Sequence, residues 1–236
     1  GVLTDYAPHL YWFHDTVDAY VVPSEQVKQR FLSRDVEPSK VKVFGIPIDP
    51  AFYEKKDVAA LRARHAAPAD KHTVLILSGG HGMSGIAEIA AALCGAQMPL
   101  HLIAVAGRNE KRMKELSEIQ TPPHVTLQSV GWTDTMDEMM RLADVIVTKS
   151  GGLTVTEAIA LAKPIIVVNP IPGQEEHNAA YVVERGFGVI AHAQDDLLYY
   201  IEQPPEVLAP GYKDQTKNQP AAGEVILDTI IKEIAK

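Results

Sequence analysis

Short, unbroken runs of β-branched and other apolar residues recur along this chain, each parted from the next by a helix-length stretch. That alternation limits the possible folds more than any other feature. The runs fall at 2–4, 19–22, 41–44, 73–77, 100–106, 125–129, 145–148, 165–168 and 188–191. They are continuous rather than alternating, as strands covered on both faces should be. Helix-like segments lie between them at 25–34, 58–65, 85–93, 110–120, 134–142, 154–162, 176–184 and 195–202, with a last one at 224–235. Strands that alternate with helices pair in parallel. The expected fold class is therefore α/β: a Rossmann-like, doubly wound parallel sheet with helices on both faces.

The chain divides unevenly. Residues 1–50 hold only three strands, too few to be well covered as an independent fold. They end in Gly45-Ile46-Pro47-Ile48-Asp49-Pro50, which reads as a stiff linker. Residues 1–50 are therefore expected to be the remnant of a second Rossmann-like domain plus a linker, and 51–203 one complete doubly wound domain. Residues 204–236 read as a surface loop rich in Pro, Gly, Lys and Gln before the last amphipathic helix. Gly1 is not an initiator Met and Val2-Leu3-Thr4 reads as the end of a strand, so the chain is expected to begin inside a larger fold.

Composition excludes several classes. No apolar run among the 236 residues approaches the ~20 residues of a membrane span, and no stretch reads as a signal peptide. The single cysteine, Cys94, cannot form an internal disulfide and sits in an Ala-rich helical stretch as a core thiol. A reducing, cytoplasmic compartment is expected. The net charge of −8 argues against bulk nucleic-acid binding, though a local basic patch facing anionic lipid remains compatible with it.

Ligands of parallel α/β sheets bind beyond the carboxyl ends of the strands, and three polar stretches fall there. The first is Ser78-Gly79-Gly80-His81-Gly82-Met83-Ser84-Gly85. Its glycines permit close backbone approach and the next helix offers free N–H groups, so a phosphate fits; a tight strand-to-helix turn is the plainer reading. No Walker lysine follows, and the acidic partner of a dinucleotide fingerprint is missing. The second is Lys149-Ser150-Gly151-Gly152-Leu153-Thr154-Val155-Thr156-Glu157. Glu157 is expected in the first helical turn, either as part of a capping box or as an acceptor for a ribose diol. The third, Pro172-Gly173-Gln174-Glu175-Glu176-His177-Asn178, suits sugar hydroxyls or a solvated helix start. No Cys/His set has zinc spacing, and His177 has no partner spaced as a metal ligand. Together the three stretches suggest a nucleotide-sugar.

SGGHGMSG, VAGRN and GWTDTMDEMMRLADVIVTKSGGLTVTEAIALAKPIIVVNPIPGQEEHNAAYVVERGFGVI together resemble the C-terminal half of a GT-B glycosyltransferase. TDYAPHLYWFHDTVDAYVVPSE and GIPIDPAF narrow the resemblance to the diacylglycerol glycosyltransferases and monogalactosyldiacylglycerol synthases. It covers about residues 1–203. The resemblance implies a GT-B fold that holds a UDP-hexose, UDP-glucose or UDP-galactose, with no cofactor and no metal. Ser150, Gly151, Gly152, Leu153 and Thr154 would contact the diphosphate, with Gly80, His81, Gly82 and Met83 closing from the other side. Glu157 would take the ribose hydroxyls, and Gln174, Glu175 and Asn178 the hexose. Arg108, Gly131 and Trp132 would line the uracil pocket. The acceptor, diacylglycerol or a glycolipid, implies a peripheral protein on the inner face of the cell membrane.

The family's N-terminal half, with its Gly-rich loop and a His thought to serve catalysis, is represented here only by its last part. Asp5 is the catalytic candidate within this sequence, against the readings of an orienting residue or a turn cap. His9 and Trp12 are expected on the acceptor side, with a core aromatic as the plainer reading of Trp12. Two alternatives stay open. One is another enzyme on the same scaffold, a peptidoglycan-type UDP-N-acetylglucosaminyltransferase or a UDP-sugar epimerase. The other is a catalytically silent nucleotide-sugar-binding module.

Overall fold

The structure, a computed structural model, describes residues 1–77, 85–213, 223, 226 and 227. The first glycine-rich stretch up to residue 84, with the expected contacts Gly80, His81, Gly82 and Met83, therefore lies outside the described residues, as does most of the last expected helix.

The described residues form two parallel sheets. The smaller pairs β1 (Tyr20–Val22) with β2 (Val41–Val43), and α1 (Glu25–Leu32) makes the crossover between them. Ser24 starts that helix by accepting a hydrogen bond from the Val27 N–H. Leu3, Tyr20, Val22, Val27, Phe31 and Val41 form its core. The strand expected at 2–4 is reduced to one bridge, Val2 to Val21. The chain leaves the sheet there because Thr4 to Tyr6 turn onto two helices of the larger unit.

The larger sheet comprises β3 (His72–Leu77), β4 (Leu100–Val105), β5 (Val125–Val130), β6 (Val145–Thr148), β7 (Ile165–Val168) and β8 (Gly188–Ala191). Their spatial order is β5-β4-β3-β6-β7-β8, parallel throughout. The order reverses between β3 and β6, which makes the crevice above that pair the expected ligand position.

Residue alternation assigns each side chain of the sheet to one of two cores. Leu75, Leu77, Ile103, Val105, Ile146, Ile165 and Val167 face one layer of helices. That layer is α2 (Val58–Arg64), α5 (Met136–Leu142), α6 (Gly152–Ala160) and α7 (Gln174–Glu184), contributing Leu61, Met140, Val155 and Val182 among others. Val74, Ile76, Leu102, Ala104, Val147 and Ile166 face the other, made by α3 (Ile86–Leu93), α4 (Glu110–Ser117) and α8 (Gln194–Ile201). Burial on both faces is why the strands are continuous apolar runs.

The segment after the small sheet packs on the larger unit. Ile46, Phe52, Leu61 and Ala67 belong to the core of the α5–α7 face. Arg141 donates to the carbonyls of Ala51 and Phe52 at 2.9 and 3.1 Å. Buried Asp137 and Glu138 meet Lys56, Arg64 and His65 across the α2–α5 contact.

Candidate functional site

The turn after β6 and the turn after β7 form one cluster at the carboxyl edge. Both following helices start two residues earlier than the sequence implies, at Gly152 and Gln174. Glycine is a poor helix interior residue but is tolerated in the first turn, so the sequence pattern undercounts the start of α6; α7 begins directly after Gly173, with the polar Gln174 and Glu175 as its first residues. Gly151 is the N-cap of α6, and no described atom lies within 4 Å of where its side chain would stand, so a ligand can approach its backbone. Leu153 and Thr154 lie inside the first turn, Leu153 exposed and Thr154 half-buried. The hydroxyl of Ser150, wholly buried, donates to the Glu175 carbonyl and so ties the α6 turn to the first turn of α7.

The earlier helix start moves Glu157 into the second turn, out of reach of any capping role. Its side chain makes no hydrogen bond or ion pair with a described residue. Burial, and secondarily the charge of Asp49, raises its carboxyl from the ordinary 4.5 to about 7. An unpartnered, partly buried acceptor one turn beyond an open helix N-terminus is suited to a pair of hydroxyl donors.

Segment 4–6 inserts between the first turns of α6 and α7. A side chain at Gly152 would stand 1.9 Å from the Thr4 carbonyl oxygen, so only glycine fits there. Asp5, 5% exposed, accepts from Gln174 Nε2 with one oxygen and from Asn178 Nδ2 at 2.9 Å with the other. The Tyr6 N–H donates to Asn178 Oδ1 at 2.8 Å. The Tyr6 ring stacks on Tyr181 at 3.8 Å, and its hydroxyl lies 2.9 Å from Thr156 Oγ1. Asn178 is wholly buried, with both ends of its amide taken by Asp5 and Tyr6. Glu175 Oε2 accepts from the Ile171 N–H at 2.7 Å, folding that carboxylate back onto the turn. Of the three residues expected at a hexose, Gln174 alone is both exposed and left with a free polar atom among the described residues. Asp5 has little open surface to present to an acceptor.

Two further expected groups lie on the other side of the switch point. Arg108 follows β4 and Trp132 follows β5, and the guanidinium sits 4.2 Å from the indole ring centroid. Gly107, in the left-handed region at φ +63°, turns the chain there, and Gly131 leaves room beside it. Trp132 is 67% exposed, so the stacked pair offers a flat aromatic platform. His9 caps the short turn Leu10–Trp12, its Nδ1 accepting from the Tyr11 N–H at 3.3 Å. Trp12 is half-buried against the core of the small sheet, while Leu10 and Tyr11 are exposed.

Three contributors were not singled out from the sequence. Tyr6 and Thr156 carry the stapled contact, and Lys149 is buried in the turn itself with no hydrogen bond or ion pair to a described residue. A lysine interrupting an apolar strand end was the available signal for the last. Among the described residues, no group of three or more His, Cys, Asp or Glu is placed to hold a metal ion.

A six-stranded parallel sheet with a glycine-started helix after a strand of its switch point is an architecture that α/β proteins use to bind nucleotides. The C-terminal domain model of glycosyltransferase family 28 matches residues 73–233, and the chain belongs to that family. The monogalactosyldiacylglycerol synthase model matches residues 1–48. The processive diacylglycerol beta-glucosyltransferase of Bacillus subtilis (strain 168) is 32% identical over 99% of this chain and 62% of its own length. The Bacillus pumilus protein of the same name is 33% identical over 84% of this chain and 52% of its own. The chain thus spans less than two thirds of these relatives. Acinetobacter baumannii MurG shares the fold at a TM-score of 0.63 and 20% identity, covering 91% of this chain and 67% of that one. The S. aureus MnaA–UDP co-structure does so at 0.66 and 17%, covering 92% and 61%. The fold is that of GT-B proteins.

Proposed function

We propose that this chain is the donor-binding part of an inverting, metal-independent glycosyltransferase that moves a hexose from UDP-glucose or UDP-galactose to diacylglycerol or a glycolipid. Residues 51–203 form the donor domain, and residues 1–50 are the end of the acceptor-side domain with its linker. The observation that carries the reading is the set of groups along one carboxyl edge of the sheet: the α6 N-terminus and the Glu157 carboxyl, without a partner among the described residues, on one side of the switch point, and the Arg108–Trp132 platform on the other.

The diphosphate rests at Gly151 and the first turn of α6, where free N–H groups and the helix dipole favour negative charge. The ribose diol donates to Glu157, and uracil stacks beside Trp132. An acceptor hydroxyl oxygen attacks the anomeric carbon as the bond to the diphosphate oxygen breaks. The electron pair leaves on UDP, and a base takes the hydroxyl proton. Charge developing on UDP is met by groups already oriented toward it. With its lipid acceptor, the protein works as a peripheral protein on the inner face of the cell membrane; among the described residues no helix is long and apolar enough to cross one.

Calorimetry with UDP, ADP and NAD, each without added metal, tests the donor assignment. UDP is expected to bind more tightly than the other two, and a preference for NAD or an absolute need for Mg²⁺ overturns it. Assayed alongside with labelled UDP-sugars on diacylglycerol vesicles, the 236-residue chain is expected to bind donor without forming glycolipid.

A further inference from the structure

Asp5 follows the small-sheet bridge at Val2 closely in sequence, yet the hydrogen-bond partners of its carboxylate lie on α7, 169 and 173 residues away. Gln174 and Asn178 are one helical turn apart, so their side chains emerge on the same face. An ionised carboxylate accepts hydrogen bonds and donates none. Each amide must therefore turn its NH2 group toward Asp5 and its oxygen away. For Asn178 the oxygen then meets the Tyr6 N–H at 2.8 Å, which fixes the orientation independently. For Gln174 the oxygen has no partner among the described residues, on a side chain that is exposed beside the open end of α6.

We propose that Asp5 is a positioning residue for donor-sugar recognition: it locks the Gln174 amide so that α7 presents a carbonyl oxygen to a hydroxyl of the bound hexose. A glutamine free to flip would offer a donor as often as an acceptor, and would lose rotamer freedom on binding. The locked one discriminates in favour of a sugar whose hydroxyl can donate at that point. Asn178 serves the same arrangement from within the contact, by fixing the second oxygen of Asp5. The sugar subsite is in this way divided between the two parts of the chain, and donor recognition depends on residues before the linker.

This inference rests on the donor reading above, and the two fail separately. Dissociation constants for UDP and for UDP-glucose or UDP-galactose are measured on the 236-residue chain. The parent is expected to bind one UDP-hexose more tightly than UDP. In Asp5→Asn and in Gln174→Ala that advantage should shrink about fivefold, the value of one hydrogen bond, while the constant for UDP moves less than twofold. In Asp5→Asn/Gln174→Glu the pair is rebuilt with reversed polarity. The new amide donates to the glutamate and still accepts from Asn178, and an oxygen again faces the crevice, so the advantage should return. Gln174 is exposed, so its alanine variant tests the proposal even if changes at Asp5 impair folding. Equal loss of UDP and UDP-hexose affinity, an unchanged ratio in Gln174→Ala, or no recovery in the folded double variant would each overturn the proposal. A parent chain that binds no UDP would instead overturn the donor reading beneath it.

Discussion

Replacing Glu157 by Gln should make the unliganded chain more stable at pH 8 and leave it unchanged at pH 4. In the folded chain, burial and the charge of Asp49 raise the Glu157 carboxyl from 4.5 to about 7. Between those values the folded state keeps a proton that the unfolded state has released. Stability therefore falls as pH rises from 4.5 to 7, and the whole penalty is present above 7. The shift corresponds to about 3 kcal/mol against the charged form, an upper bound for a partly exposed group. Glutamine has the same shape and no charge, so the variant escapes that penalty. In a domain of this size the gain amounts to about 5–10 °C in melting temperature at pH 8. The same substitution should weaken UDP binding by about 1.5–3 kcal/mol, because the carboxylate accepts charged hydrogen bonds from the ribose. UDP binding by the parent should release a proton at a pH just below about 7, visible as a buffer-dependent calorimetric enthalpy. A variant that melts lower than the parent by the same margin at every pH would show that Glu157 is structural, and the reasoning from its burial would fall.

Trp132→Ala should weaken UDP by about 1–3 kcal/mol, the worth of one stacked base, without lowering the melting temperature of this exposed site; an unchanged UDP affinity would remove the platform from the donor pocket. Gly152→Ala places a methyl 1.9 Å from the Thr4 carbonyl, and thermal melts should show a loss of about 1–3 kcal/mol together with weaker UDP binding. Glu138→Gln should cost about 2–3 kcal/mol at pH 7 in denaturant titrations, below the ~3–5 kcal/mol of fully buried pairs because its partner Arg64 is 63% exposed. The hydrogen bond with His65 chiefly holds the Glu138 carboxyl below its ordinary 4.5, so this contribution is fully present above 4.5, and the cost of the substitution should shrink progressively as pH falls from there through the lowered folded value.

The strands of the large sheet were legible to within one residue at each end. A run such as Val145 to Thr148 is covered on both faces wherever it sits in the sheet, so its composition is set locally. The glycine turn before α6 was legible for the same reason, since backbone freedom belongs to single residues, whereas Trp132 was named only through the family resemblance. The starts of α6 and α7 were misplaced by two residues, in α6 because a first-turn glycine looks like a loop residue until its hydrogen bonds are seen, and in α7 because the polar Gln174 and Glu175 after Gly173 look like the end of a turn. That shift removes the capping reading of Glu157, one of the two the sequence left open, and places in the second turn a carboxyl with no hydrogen bond or ion pair to a described residue. The strand order, and with it the crevice between β3 and β6, depends on how crossovers pack and is not written in any one segment. The fate of the Gln174–Asn178 cluster was least accessible. Its amides look like sugar ligands in sequence, but Asp5 and Tyr6 reach them from some 170 residues away. Sequence alone determines which groups can bond to hydroxyls and amides; the chain's return path determines which are already bonded, because a buried amide takes the nearest partner that satisfies it.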